Sequence, residues 1–233
     1  MPTFLVTGAN RGLGLEFVRQ YAADGWTVIA CCRTPDAAPE LKTLADNADG
    51  RIAIEALDVR DNGAIEACAE RHKHASIDVL LNNAGIIGPR GGTGQSFSDM
   101  DYDAWSDVLR TNAMAPMKMC QSFVEQVARS EQKKMASISS TIGSNSETHG
   151  RAYTYASSKA ALNMVMTTMA KDMAGLGIAV GVYCPGHVKT DMGEADADVE
   201  IPDSIAGVRQ RIAELTLART GTFHRYNGDA IAW

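Results

Sequence analysis

Short apolar runs alternate with segments of helical period from one end of the chain to the other. Thr3–Thr7, Thr27–Cys32, Arg51–Leu57, Ile77–Asn82, Lys134–Ser139, Ala179–Cys184 and Gly221–His224 read as strands. Gly12–Asp24, Ala38–Ala45, Asn62–His72, Tyr102–Asn112, Pro116–Ser130, Tyr155–Met173 and Ile201–Thr216 read as helices between them. Such alternation points to βαβ units and an α/β fold: a mostly parallel seven-stranded sheet with helices on both faces. Right-handed crossovers make that sheet doubly wound, with its ligand crevice outside the carboxyl ends of the strands. The 233 residues contain no Pro-, Gly- or Ser-rich linker and no internal repeat, so residues 1–233 are expected to form a single domain.

The loop after the first strand is the first place to look for a ligand. Thr7-Gly8-Ala9-Asn10-Arg11-Gly12-Leu13-Gly14 joins that strand to the first helix. Missing side chains let the backbone approach a pyrophosphate there, while the helix N-terminus offers unpaired N–H donors. No Lys-Ser or Lys-Thr follows the last glycine, which excludes a P-loop. In a Rossmann fold, a carboxylate ending the second strand would accept from the ribose 2′-OH of NAD(H) and repel a 2′-phosphate. This chain has Cys32 and Arg33 there, with Arg11 as a second cation. Charge-assisted hydrogen bonds then favour NADP(H) over NAD(H), and Asp36 is the residue that would reverse the preference.

Tyr155-Ala156-Ser157-Ser158-Lys159 places a phenol and an ammonium four residues apart on one helix face. A free Tyr keeps its proton until about pH 10, and a nearby ammonium lowers that value, so Tyr155 becomes a usable proton donor or acceptor. Tyr153 lacks this pairing, because Ser157 stands four residues beyond it.

The Gly-x-x-x-Gly-x-Gly spacing of Gly8, Gly12 and Gly14 resembles the fingerprint of the short-chain dehydrogenase/reductase family, and further matches extend the resemblance over nearly the whole chain. It implies NADP(H) in the glycine loop, including Asn10 and Leu13, with Asp58 and Val59 reading the adenine ring. It implies that Asn82-Asn83-Ala84-Gly85 steadies the sheet and borders the adenine ribose. Ser140, in Ser140-Thr141-Ile142-Gly143, becomes the hydroxyl facing the substrate oxygen, with Ser139 as runner-up; Lys159 holds the nicotinamide ribose, and Asn112 holds a water in a relay reaching Lys159. Pro185, Gly186, Val188 and Thr190 form the loop meeting the nicotinamide carboxamide. The ending Gly221-Thr222-Phe223…Tyr226-Asn227-Gly228…Trp233 is similar to the Sniffer-like carbonyl reductase and C-factor group. That group implies hydride transfer between the nicotinamide and a small carbonyl or alcohol substrate. The alternative is an NADPH-binding sensor or signalling protein with little catalysis. The family implies a homodimer or a tetramer.

Composition removes other classes. The net charge is −6 and the longest basic cluster is Lys133–Lys134, so neither nucleic acid nor a membrane surface is an expected partner. The amino terminus has no secretory pattern and no apolar run is long enough to span a bilayer, which points to the cytoplasm. Five cysteines without C-x-x-C spacing suit reduced thiols, and adjacent Cys31 and Cys32 should face opposite sides of a strand. His72-x-His74 lacks an acidic or Cys partner at ligand spacing, so no metal is expected. His149 and His187 are secondary candidates for contacts with substrate and cofactor, and the Met164–Met173 stretch reads as ordinary helix packing.

Overall fold

Residues buried on both faces mark the inner strands of the sheet. The computed structural model describes residues 1–89, 94–148, 152–190, 192 and 197–233. In it β1 (Thr3–Thr7), β2 (Thr27–Cys32), β4 (Val79–Asn82), β5 (Lys134–Ile138) and β6 (Ala179–Cys184) are buried almost throughout. β3 (Ile52–Ala56) and β7 (Thr222–Arg225) carry partly exposed residues, as edge strands do. The strand order is β3-β2-β1-β4-β5-β6-β7, and each neighbouring pair is parallel. The order reverses between β1 and β4, the switch point where such sheets open a ligand crevice.

Helices α1 (Gly12–Ala23), α2 (Pro39–Asp46), α3 (Asn62–Arg71), α4 (Tyr102–Leu109), α5 (Ala115–Ser122), α6 (Val124–Ala128), α7 (Tyr153–Asp172) and α8 (Ile201–Ala213) cover the sheet. Two apolar cores result, one on each face. Cys31 belongs to one and Cys32 to the other, as alternation along β2 requires. Met166 and Met169 pack in the first core, whereas Met164 is 68% exposed.

Four helical expectations need correction. α4 stops at Leu109 and runs on as a π-helical turn, Arg110–Met114, so Asn112 lies inside a widened turn rather than at a helix end. The segment expected as one helix over Pro116–Ser130 breaks at Phe123, where φ is −106° and ψ is 11°. α7 begins at Tyr153, two residues early, and α8 ends at Ala213. Lys134 Nζ donates to the carbonyls of Ile212 and Ala213 at 2.9 and 2.8 Å, capping α8 with a cation. A two-residue antiparallel ladder, Gln95–Ser96 with Asp99–Met100, was not anticipated. Among the described residues no helix is long and apolar enough to cross a membrane.

Candidate active site

Parallel strands bring the predicted site residues to one edge. Gly8 follows β1, Arg33 follows β2, Asp58 lies beyond β3, Asn83–Gly85 follow β4, Ser140 lies just beyond β5 and Pro185 follows β6.

The glycine turn is built for close approach. Gly8 and Gly12 have φ values of +69° and +54°, which favour glycine. A Cβ on Gly14 would stand 2.1 Å from the Gly8 carbonyl oxygen, so α1 can meet β1 only without one. Gly12 has nothing within 4 Å of its Cβ position, leaving space at the N-terminus of α1. Asn83 braces this turn: its Nδ2 donates to the Thr7 carbonyl at 2.9 Å, and the Asn83 and Ala84 amides both donate to Thr7 Oγ1 at 3.1 Å. Asn82 is buried and donates to Cys120 Sγ and Ser137 Oγ, the sheet-steadying position expected of it.

Where β2 ends, Cys32 is buried and Arg33 is exposed. Asp58 accepts from the Arg60 amide at 2.9 Å and from its guanidinium at 3.1 Å. These hydrogen bonds outweigh the opposing effect of partial burial, and with the Arg33 charge they hold the Asp58 carboxyl below its ordinary range. Asp36 pairs with Lys42 at 2.7 Å on the turn before α2.

Further along the crevice, α7 delivers Tyr155 and Lys159. Burial pushes the Tyr155 phenol up, Cys184 adds to the rise, and a hydrogen bond with Ser140 pulls back. Burial also lowers the Lys159 ammonium to about 8. Lys159 Nζ donates to the Ile138 carbonyl at 2.8 Å and lies 5.6 Å from the centre of the Tyr155 ring. Ser139, the runner-up hydroxyl, is buried and donates to Asn163 Oδ1 at 2.6 Å. Gly143 makes the junction possible, since a Cβ there would lie 2.7 Å from Lys159 Cβ.

The π turn aims Asn112 at the same place. Its Oδ1 accepts from the Ile86 amide at 2.9 Å, and its Nδ2 donates to the Ile86 carbonyl at 2.8 Å and to Ser158 Oγ at 2.9 Å. A Cβ on Gly85 would sit 3.2 Å from Asn112 Oδ1 and 3.7 Å from Lys159 Nζ, which places all three residues side by side. Beyond β6, the Pro185 carbonyl accepts from Ser204 Oγ at 2.6 Å. Lys189 N–H donates to the Val199 carbonyl, and Val199 N–H to the His187 carbonyl, both at 3.1 Å. This parallel bridge turns the Val188 amide away from Val199. Thr190 follows two residues on, and His149 lies outside the described residues.

Two arrangements escaped the sequence. The carboxyl-terminal tail folds back on the loop after Ser140: Trp233 stacks on Phe223 with centroids 5.4 Å apart, its carbonyl accepts from Ser146 Oγ at 3.1 Å, and Arg225 pairs with Glu147. His72 does have acidic and Cys neighbours, because the fold brings Glu55 and Cys68 to it.

Comparison with known proteins agrees with this geometry. The short chain dehydrogenase family model matches residues 2–200. The chain belongs to that family. It is an oxidoreductase, and its fold is the family's seven-stranded Rossmann sheet with helices on both sides. Among its relatives, the C-signal of Myxococcus xanthus is 34% identical over 158 residues, covering 67% of this chain and 93% of that protein. The carbonyl reductase Sniffer of D. melanogaster superposes with a TM-score of 0.90 at 29% identity, covering 100% of both chains. An NADPH-bound carbonyl reductase from chicken fatty liver superposes with a TM-score of 0.91 at 32% identity, covering 100% of this chain and 94% of that one.

Proposed function

We propose that this chain is an NADP(H)-dependent carbonyl reductase, with Tyr155 as the proton donor and Lys159, Ser140 and Asn112 as its supporting set. The observation that carries the reading is the buried Lys159 ammonium 5.6 Å from the centre of the Tyr155 ring, with Ser140 just beyond β5, at the open edge of a doubly wound sheet. The residues present fit a dinucleotide. Open space at Gly12 and the first-turn amides of α1 suit a pyrophosphate, with Gly8, Asn10, Arg11, Leu13 and Gly14 shaping the turn. Asp58 and Val59 lie where an adenine would be read, and Ala84 and Gly85 border its ribose. Arg33 and Arg11 supply charge for a 2′-phosphate at the end of a strand closed by Cys32, while Asp36 is engaged by Lys42. Pro185, Gly186, Val188 and Thr190 line the nicotinamide end. A bound reduced nicotinamide supplies the hydride.

Tyr155 gives its hydroxyl proton to the substrate oxygen as negative charge develops there. Ser140 hydrogen-bonds the same oxygen and holds it against the phenol. Lys159, in its ammonium form, lowers the proton affinity of Tyr155 and offsets the rise caused by burial. Asn112 fixes the Ile86 backbone and Ser158, which positions Gly85 beside Lys159. In the reverse direction the same groups accept the proton of an alcohol.

The two carbonyl reductases named above support the substrate class. Exposed Met114, Met117, Tyr153 and Met164, on the π turn, α5 and α7, are apolar side chains that a homodimer interface would cover, and five free cysteines suit a reducing cytoplasm. The likeness to a protein called a signal motivates a second reading, an NADPH-loaded signalling protein. NADPH absorbance followed with aldehydes, diketones and quinones separates the two. Turnover on any of them supports the reductase, and tight NADPH binding with no turnover supports the signalling protein.

A further inference from the structure

Cys31 and Glu55 are register partners on β2 and β3, so their side chains leave the sheet on one face. Cys68 on α3 and His72 at its C-cap stand at i and i+4, which places both on one side of the helix. One ligand atom each from Glu55, Cys68 and His72 lies within 4.8 Å of the other two. His72 Nε2 and Glu55 Oε1 are 2.8 Å apart, and Cys31 and Cys68 belong to the same apolar core. Arg71 donates to Glu55 Oε2 at 2.6 Å. The cysteines are buried, whereas the Glu55 and His72 side chains are 17% and 18% exposed, so solvent reaches the cluster from one side.

We propose that Glu55, Cys68 and His72 form a binding site for a thiophilic divalent cation of the zinc class, with the solvent-reached side open to a fourth ligand. The donor set is sulfur, imidazole nitrogen and carboxylate oxygen, which suits zinc-like ions and disfavours magnesium or calcium. Bonds of about 2.0–2.3 Å put tetrahedral ligand atoms roughly 3.3–3.8 Å apart. The Glu55–His72 pair therefore opens by about half an ångström to admit the ion, while the more distant atoms close in. One thiolate and one carboxylate balance the charge of a divalent ion, and the imidazole is a neutral ligand. Arg71 orients Glu55 from behind, as outer partners of metal ligands do. An ion-pair cluster without metal accounts for Glu55, Arg71 and His72 but does not call for a thiol within reach of both the imidazole and the carboxylate. The bound ion joins β3 to α3 and its C-cap three residues before Asp58, beneath the adenosine end of the crevice.

The test is a titration of metal-free protein with Zn²⁺ against a competing chelator, repeated with Co²⁺ to detect a thiolate charge-transfer band. The expected result is one equivalent of Zn²⁺ per chain and a clear thiolate band. Cys68→Ser and His72→Ala should each lower affinity by more than about 100-fold, beyond the range of about 10–100-fold for partners behind the ligands. The exposed His74 serves as control, and His74→Ala binds as the native protein does. Glu55→Gln also weakens binding and keeps the test decisive if Cys68→Ser fails to fold. Undiminished affinity in His72→Ala, a cobalt spectrum lacking the thiolate band, or a Cys31–Cys68 disulfide instead of bound metal would overturn the proposal.

Discussion

Gly143→Ala tests whether Ser140 must be held at a set distance from α7. The added methyl would lie 2.7 Å from Lys159 Cβ, 2.8 Å from the Lys159 carbonyl carbon and 3.0 Å from the Ala160 nitrogen. Carbon atoms in contact settle at about 3.5–4.0 Å, so loop and helix must separate by roughly 1 Å. Most of what the methyl meets is helix backbone, which leaves the loop to move. Gly143 N–H donates to the Ser140 carbonyl at 2.9 Å, so the displacement reaches the hydroxyl. A misplacement of about 1 Å at a reacting group costs on the order of 100-fold in rate. Overpacking of this kind also costs about 1–3 kcal/mol in stability. In a chain of this size that lowers Tm by about 2–4 °C for each kcal/mol. Steady-state NADPH oxidation with a reducible carbonyl compound gives kcat, and fluorescence titration gives the NADPH Kd separately. kcat should fall about 100-fold while Kd moves only about threefold, because the glycine turn and Arg33 are untouched. A variant with native kcat and native Tm would refute the claim that this contact sets the Ser140 position.

Arg33→Ala should cost NADPH about 1.5–3 kcal/mol of binding, roughly 10–100-fold, and NADH much less; equal losses in parallel titrations would remove the argument for the 2′-phosphate. Ser140→Ala should depress kcat with Tm nearly unchanged. Ser139→Ala should lower stability by about 1–3 kcal/mol, because it strands the buried Asn163 Oδ1; thermal melts and kinetics on the pair would expose a reversed pattern. Burial brings the Lys159 ammonium down to about 8, so the charged form that the reductase needs is lost as pH rises past that value. kcat/KM for reduction is therefore flat below that value and falls above it, and a profile rising through pH 8 would contradict the role given to Lys159. The linked stability has the opposite sign. Its folded-state value lies below the ordinary 10.5, so the cost of burying the ammonium is full at low pH and is relieved as pH rises from about 8 toward 10.5.

Local pattern made the strands and loops legible. β1, β2 and β6 fall on their expected bounds, because central strands in parallel sheets are apolar on both faces and begin and end abruptly. The glycine turn was readable for the same reason, since close approach leaves its mark as missing side chains. Ser140 was singled out by the family's Ser-x-x-Gly ending and not by alternation, because β5 is buried on both faces and parity alone does not separate it from Ser139. Asn112 was recognisable as a residue, but the π turn that aims it depends on how α4 meets α7 and Ile86, contacts with no local signature. The break at Phe123 is similarly tertiary, as its ring is fully buried. Cys68 and His72 stand four residues apart, a spacing metal sites use on helices, but Glu55 lies on another element and only strand register with helix packing brings it to them.

The proton donor is the centre of the account, and Tyr155→Phe tests it with the loss of one oxygen. Single-turnover reduction of a carbonyl compound by NADPH, measured beside the NADPH Kd, reads chemistry and binding separately. The account predicts a rate lower by about 10²–10⁴-fold, the usual contribution of a positioned acid, with the Kd essentially native. A Phe variant that transfers hydride at the native rate would show that the proton comes from elsewhere.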